Sequence, residues 1–187
     1  SQSQQGVPAG QTAATDAHFA GIAATPPKAA PRLRLDNYLG EPFDLAALKG
    51  KKAALVTFIY DHCPDVCPLI VSHLKTAQAE LGEKADGVEV IAVSTDPKGD
   101  TPKTVAGFLD EHGMTGRMQY LIGSRSELEK VWSDWNIVAR PEKASPDLVE
   151  HSALVYGIAA DGKVTTLYPA NFKPSQIVHD VPLLEQQ

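Results

Sequence analysis

The sequence predicts a single α/β domain behind a flexible lead. Three observations carry that expectation: a continuous β-branched and aromatic run at 53–60, apolar residues at helical spacing over 68–82, and further strand and helix patterns that close on an Asp161-Gly162 turn. At 187 residues the chain suits one well-buried domain better than two.

Residues 1–31 are rich in Ala, Gln, Gly, Thr and Pro, with only Val7, Phe19 and Ile22 as bulky apolar side chains. Such a segment buries too little surface to offset its ordering entropy. The expected division is a tether over 1–17 and a domain over 18–187, with Phe19 and Ile22 giving the stretch 18–31 something to dock. Leu33, Leu35, Asn37-Tyr38-Leu39-Gly40, Phe43 and Leu45 read as a short hairpin, and a turn follows at 46–49. The run 53–60 reads as a central strand covered on both faces.

After it, Leu69, Ile70, Leu74, Ala77 and Leu81 mark an amphipathic helix that stops at Gly82. Its start is expected near Pro68, because proline lacks an N–H and crowds the carbonyl four residues back. Residues 88–94 form a second buried strand, and Thr101-Pro102 caps a helix running to His112. A third strand fits 119–122, and Ser124 with Glu127 opens a helix through Trp132 and Trp135, whose three-residue spacing suits core packing. A loop at 140–147, a strand at 152–158, the Asp-Gly turn, a strand at 164–167 and a helix after Pro174 complete the chain. This order gives an α/β sandwich of the thioredoxin type with the hairpin as an N-terminal extension. No internal repeat is visible.

Both cysteines fall in Phe-Ile-Tyr-Asp-His-Cys-Pro-Asp-Val-Cys-Pro, residues 58–68, where the central strand hands over to the helix. The i, i+4 spacing puts Cys63 and Cys67 on one side of a helical turn, so their sulfurs can converge on one atom or oxidise to each other. A helix N-terminus lowers a thiol's pKa and favours the thiolate that either chemistry needs. A structural disulfide would close too short a loop to stabilise much. His62 is expected to face away from Cys63, and His73 sits roughly 240° round the helix from Cys67. Asp65 either tunes the thiols or is an exposed acid of a turn, and Asp96 and Asp100 are assigned to loop geometry and capping.

Net charge is −6 without any run of Lys or Arg, which argues against nucleic-acid binding. No apolar run approaches the ~20 residues of a membrane helix. The chain begins on Ser1, so a removed leader or membrane anchor is expected to precede it.

The motifs together resemble one family. Cys63-Pro-Asp-Val-Cys-Pro68 after an apolar strand, Ser94-Thr-Asp-Pro97 followed by Asp100-Thr-Pro102, and Glu150-His-Ser152 opening a strand that ends in an Asp-Gly turn are similar to the Sco/SenC proteins. That resemblance implies a thioredoxin fold and copper, as Cu(I) or Cu(II), held by Cys63, Cys67 and His151. It also implies delivery of the metal to the copper centre of cytochrome c oxidase subunit II, so a chaperone and not a turnover enzyme. The implied partners are that copper-accepting subunit, a thiol reductant and a second copper chaperone. The implied location is extracytoplasmic, in the periplasm or on the outer membrane face, with the membrane touched only through the removed anchor.

Two thiolates and an imidazole form a soft set suited to monovalent copper, whereas structural zinc takes four ligands. The alternative is a thiol–disulfide oxidoreductase that uses Cys63 and Cys67 as a redox pair to reduce the acceptor's cysteines. Reductases of this fold usually carry C-x-x-C and a proline where Glu150-His151-Ser152 stands. A peroxidase fits worse, since Tyr60 and Val56 replace the residues that would precede a peroxidatic cysteine. Glu150, where the family often has Asp, and Lys98-Gly99, where it often has an arginine, depart from the pattern outside the ligand set.

Overall fold

The computed structural model describes residues 18–138 and 153–187. Strands β1 (Ile22–Ala29), β2 (Arg34–Asn37), β3 (Pro42–Asp44), β4 (Ala53–Ile59), β5 (Val88–Ser94), β6 (Gln119–Ile122), β7 (Leu154–Ile158) and β8 (Lys163–Pro169) form one sheet. Its order is β1-β8-β7-β4-β5-β6-β2-β3. Helices α1 (Val66–Leu81), α2 (Pro102–Glu111), α3 (Arg125–Asp134) and α4 (Pro174–Gln186) cover its faces. The mixed sheet with helices packed on it is the expected thioredoxin-like α/β fold.

β4 is the axis. All of its residues are buried, with β5 parallel on one side and β7 antiparallel on the other. Its side chains alternate between two cores, as strand geometry requires. Ala53, Leu55 and Ile59 face a core built with α1, α2 and α4, while Ala54, Val56 and Phe58 face one that contains Leu128, Val131, Trp132 and Trp135. A parallel β4–β5 pair needs a crossover, which α1 supplies, and the cysteine loop is the first half of that connection.

The hairpin of β2 and β3 forms as read, and β2 joins the sheet by pairing antiparallel with β6. The second half of the expected docking segment is a strand: β1 pairs antiparallel with β8 at the far edge. Its sequence hides this, because Pro26 and Pro27 lie inside it and nearly all of it is exposed. What holds β1 comes from elsewhere. The buried Asp180 carboxylate accepts the N–H groups of Ala20 at 2.7 Å and Gly21 at 2.8 Å, and the Tyr168 hydroxyl at 2.7 Å.

The start of α1 corrects the sequence reading. It begins at Val66, not near Pro68, and takes Cys67 into its first turn. Pro68 is the third helical residue, where an N–H has no intrahelical acceptor, so nothing is lost there. Leu69 also departs from expectation and is 45% exposed; the buried face runs through Cys67, Ile70, Val71, Leu74, Ala77 and Leu81. Gly82 ends the helix at φ +58°, a conformation glycine adopts freely. Thr101 and Ser124 cap α2 and α3 as expected. The proposed tether 1–17, the loop 140–147 and the start of the 152–158 strand lie outside the described residues.

Candidate metal centre

The cysteine loop leaves β4 at its C-terminal end. Cys63 N–H returns to the carbonyl of Tyr60 at 3.3 Å, and Cys67 N–H points at the sulfur of Cys63 at 3.4 Å. Both side chains are buried free thiols, packed with Ile70, Val71 and Phe172 in one core. Asp65, at the cap position of α1, makes no side-chain capping bond. The sulfur of Cys63 takes that place by accepting the Cys67 N–H, and the backbone N–H groups of Asp65 and Val66 also favour its charged form.

This arrangement splits the two thiols. A hydrogen bond from the Cys67 side chain, aided by those backbone N–H groups and opposed by burial, brings Cys63 down to about 6. Cys67 is pushed far up, first because its proton is bound to Cys63 and then by burial. Both shifts run in the direction that places negative charge on Cys63 and the shared proton on Cys67. Tyr60 is raised to about 12, by burial first and then by the charge and hydrogen bonding of Cys63.

Beneath the loop lies a polar cluster that periodicity and spacing did not reveal. Asp100 accepts the N–H of Asp61 at 2.9 Å, the hydroxyl of Ser94 at 2.7 Å and the hydroxyl of Tyr120 at 2.8 Å. It is 3% exposed, and burial raises it to about 7 although all three donors favour its charged form. The assignment of Asp100 to helix capping is thus wrong: Thr101 caps α2, and Asp100 faces inward because the chain turns under the cysteine loop before the helix begins. Asp96 does serve loop geometry, accepting the Gly99 N–H at 3.1 Å. The one clue in the sequence was the density of Asp and Ser after β5, which a turn would explain equally well.

His62 is exposed and pairs with the buried Asp61 carboxylate. His73 packs edge-on against Phe172, with ring centroids 5.5 Å apart. Neither joins the sulfurs, and among the described residues no group of three His, Cys, Asp or Glu side chains is placed to hold a metal. His151 lies outside the described residues. The donor chemistry still suits a soft cation, because two sulfurs share one charge at a helix start and one proton can be displaced by metal.

The family model described as SCO1/SenC matches residues 23–184. The chain belongs to the SCO1/SenC family. The match runs from β1 to α4 and so takes in the cysteine loop, the Asp100 cluster and the whole sheet. Among curated relatives, the SCO1 protein homolog of Bacillus subtilis is 31% identical over 160 residues, covering 78% of this chain and 82% of its own. The chain spans only 52% of the human mitochondrial SCO1 homolog, at 24% identity over 76% of this chain.

Among solved structures, Bradyrhizobium japonicum ScoI with copper bound superposes with a TM-score of 0.70 at 26% identity, over 84% of this chain and 99% of that one. BsSco, described as having a disulfide switch and as a member of the Sco family of cytochrome c oxidase assembly proteins, superposes with a TM-score of 0.71 at 28% identity, over 86% and 96%. Sco relatives of this fold thus include a copper-bound form and one with a cysteine switch.

Proposed function

We propose that this SCO1/SenC protein is a copper carrier that holds one copper ion through Cys63, Cys67 and His151 and passes it to the copper-accepting subunit of a terminal oxidase. The observation that carries this reading is the placement of two buried free cysteines at the start of α1, with the Cys67 N–H 3.4 Å from the Cys63 sulfur, a two-sulfur face that binds metal by giving up protons. The copper-bound ScoI structure and the oxidase-assembly description of BsSco support the metal and the partner. His151 supplies a neutral third donor, and its release is the step that lets a partner's ligand enter. The tether over 1–17 joins the carrier to an extracytoplasmic membrane face.

The split between the thiols favours a second reading. A thiolate at Cys63 and a protonated Cys67 are the attacking and resolving halves of a dithiol reductase. Cys63 would attack one sulfur of an acceptor disulfide and release the other as thiolate. Cys67, losing its proton, would then attack Cys63 and release the second, so that two electrons pass to the acceptor and the pair becomes a disulfide.

An anaerobic titration of reduced protein with Cu(I) against a competing chelator separates the two. One tightly held equivalent, weakened by His151→Ala and abolished when Cys63 and Cys67 are both changed to Ala, is expected of the carrier. Equal binding by His151→Ala rules out the three-donor site and favours the reductase.

A further inference from the structure

The carboxylate of Asp100 joins three neighbouring strands directly below the cysteine loop. One oxygen accepts the backbone N–H of Asp61, just past the end of β4 and two residues before Cys63. The other accepts Ser94 Oγ–H from the last residue of β5 and Tyr120 Oη–H from β6. Ser94 and Tyr120 are fully buried, and β4, β5 and β6 are consecutive in the sheet. Ser94 is itself fixed from behind, since its carbonyl accepts Trp132 Nε1–H at 2.9 Å and its hydroxyl oxygen accepts the Asp96 N–H at 3.1 Å.

In its ionised form the Asp100 carboxylate accepts only, through two oxygens, so donors from three directions can converge on it. The N–H of Asp61 is where the chain leaves the sheet. Fixing it sets the direction of Tyr60 to Cys63, and hence the approach of the Cys63 sulfur to the Cys67 N–H. Helix α2 has no need of Asp100, because Thr101 and Thr104 complete its cap.

We propose that Asp100 is a positioning residue of the thiol pair, holding the loop so that both sulfurs converge on one copper ion or on each other. This rests on the copper-carrier reading for the metal, and on the geometry alone for the convergence. Such a residue acts by preorganisation: losing it leaves the ligands present but less often aligned.

The test is Asp100→Asn, which keeps the volume but turns one acceptor edge into a donor facing two hydroxyls. Asp180→Asn is the matched control, since Asp180 is as deeply buried and accepts the N–H groups of Ala20 and Gly21, just before β1, and the Tyr168 hydroxyl of β8, away from the cysteine loop. Two readouts are taken on folded protein: Cu(I) affinity by chelator competition, and the equilibrium in which the dithiol reduces glutathione disulfide to two glutathiones and becomes an intramolecular disulfide. Asp100→Asn is expected to weaken Cu(I) binding at least tenfold and to lower the disulfide-forming constant about tenfold, a shift of about 30 mV toward more positive potential. Asp180→Asn is expected to lower thermal stability and to leave both readouts within about twofold.

Wild-type behaviour of Asp100→Asn in both readouts, or an equal loss in Asp180→Asn, overturns the proposal. Should wild type itself hold no Cu(I), the copper-carrier reading fails and the glutathione equilibrium alone decides the positioning role. Should Asp100→Asn not fold, Tyr120→Phe decides it, because it removes one donor and keeps the Asp61 bond. About threefold losses in both readouts support the proposal, and wild-type values overturn it.

Discussion

The backbone N–H of Cys67 lies 3.4 Å from the sulfur of Cys63, so one ligand candidate is the helix cap of the other. A change in Cys63 therefore alters both the charge of the pair and the first turn of α1, whereas a change in Cys67, whose backbone makes the contact, alters the charge alone.

Selective alkylation follows from that asymmetry. Cys63 is held near 6 and Cys67 far above its ordinary value. In the reduced, metal-free protein, iodoacetamide is expected to label Cys63 first, with a rate that rises through about pH 6 and levels off above it. Cys67→Ser weakens the largest lowering influence and moves that midpoint toward the ~8.5 of a free thiol. Peptide mapping of the labelled protein against pH reads both.

Metal loading is expected to release protons in a pH-dependent number. Above about pH 6 the two sulfurs carry one proton between them, so Cu(I) displaces one; below it both are protonated, and two leave. Calorimetric titration in buffers of different ionisation enthalpy measures the count. A count that does not rise as pH falls through 6 would contradict the thiolate–thiol pair.

Asp100 predicts an acid-side stability gain. Its pKa is raised by burial, from about 4 in the unfolded chain to about 7 in the fold. Stability from this group is complete below about pH 4 and is lost as pH rises through 7, because ionising the buried carboxyl costs more than ionising it in water. The loss is on the order of 4 kcal/mol, for roughly three units at about 1.4 kcal/mol each. Urea unfolding across pH 4–8 should show that slope in wild type and a flatter one in Asp100→Asn.

Gly21 is the tightest point of the β1 attachment. A Cβ there would fall 2.4 Å from the Tyr168 ring, whose hydroxyl is bound to Asp180 and so cannot swing aside freely. Gly21→Ala is expected to cost roughly 1–3 kcal/mol, as overpacking does. Hydrogen exchange should rise in β1 before it rises in β4.

The N-cap of α2 offers a simpler measurement. Thr101 accepts the Thr104 N–H at 3.2 Å, and Thr101→Ala is expected to cost about 1 kcal/mol with no effect on copper binding.

The sequence by itself determined the layout around β4. A short, unbroken run rich in β-branched and aromatic residues reads as a strand covered on both faces, and the cysteine spacing at its end marks the candidate site. Helix caps at Thr101 and Ser124 were legible because a cap is local chemistry, made by residues three apart. Tertiary structure alone decided what lies between sequence-distant groups. Asp100 reaches Asp61 and Tyr120 only because β4, β5 and β6 lie side by side, and Asp180 reaches Gly21 across 159 positions. The strand β1 and the inward turn of Asp100 left no period in the sequence, since neither is stabilised by its own neighbours; each exists through hydrogen bonds that form only once the sheet has closed.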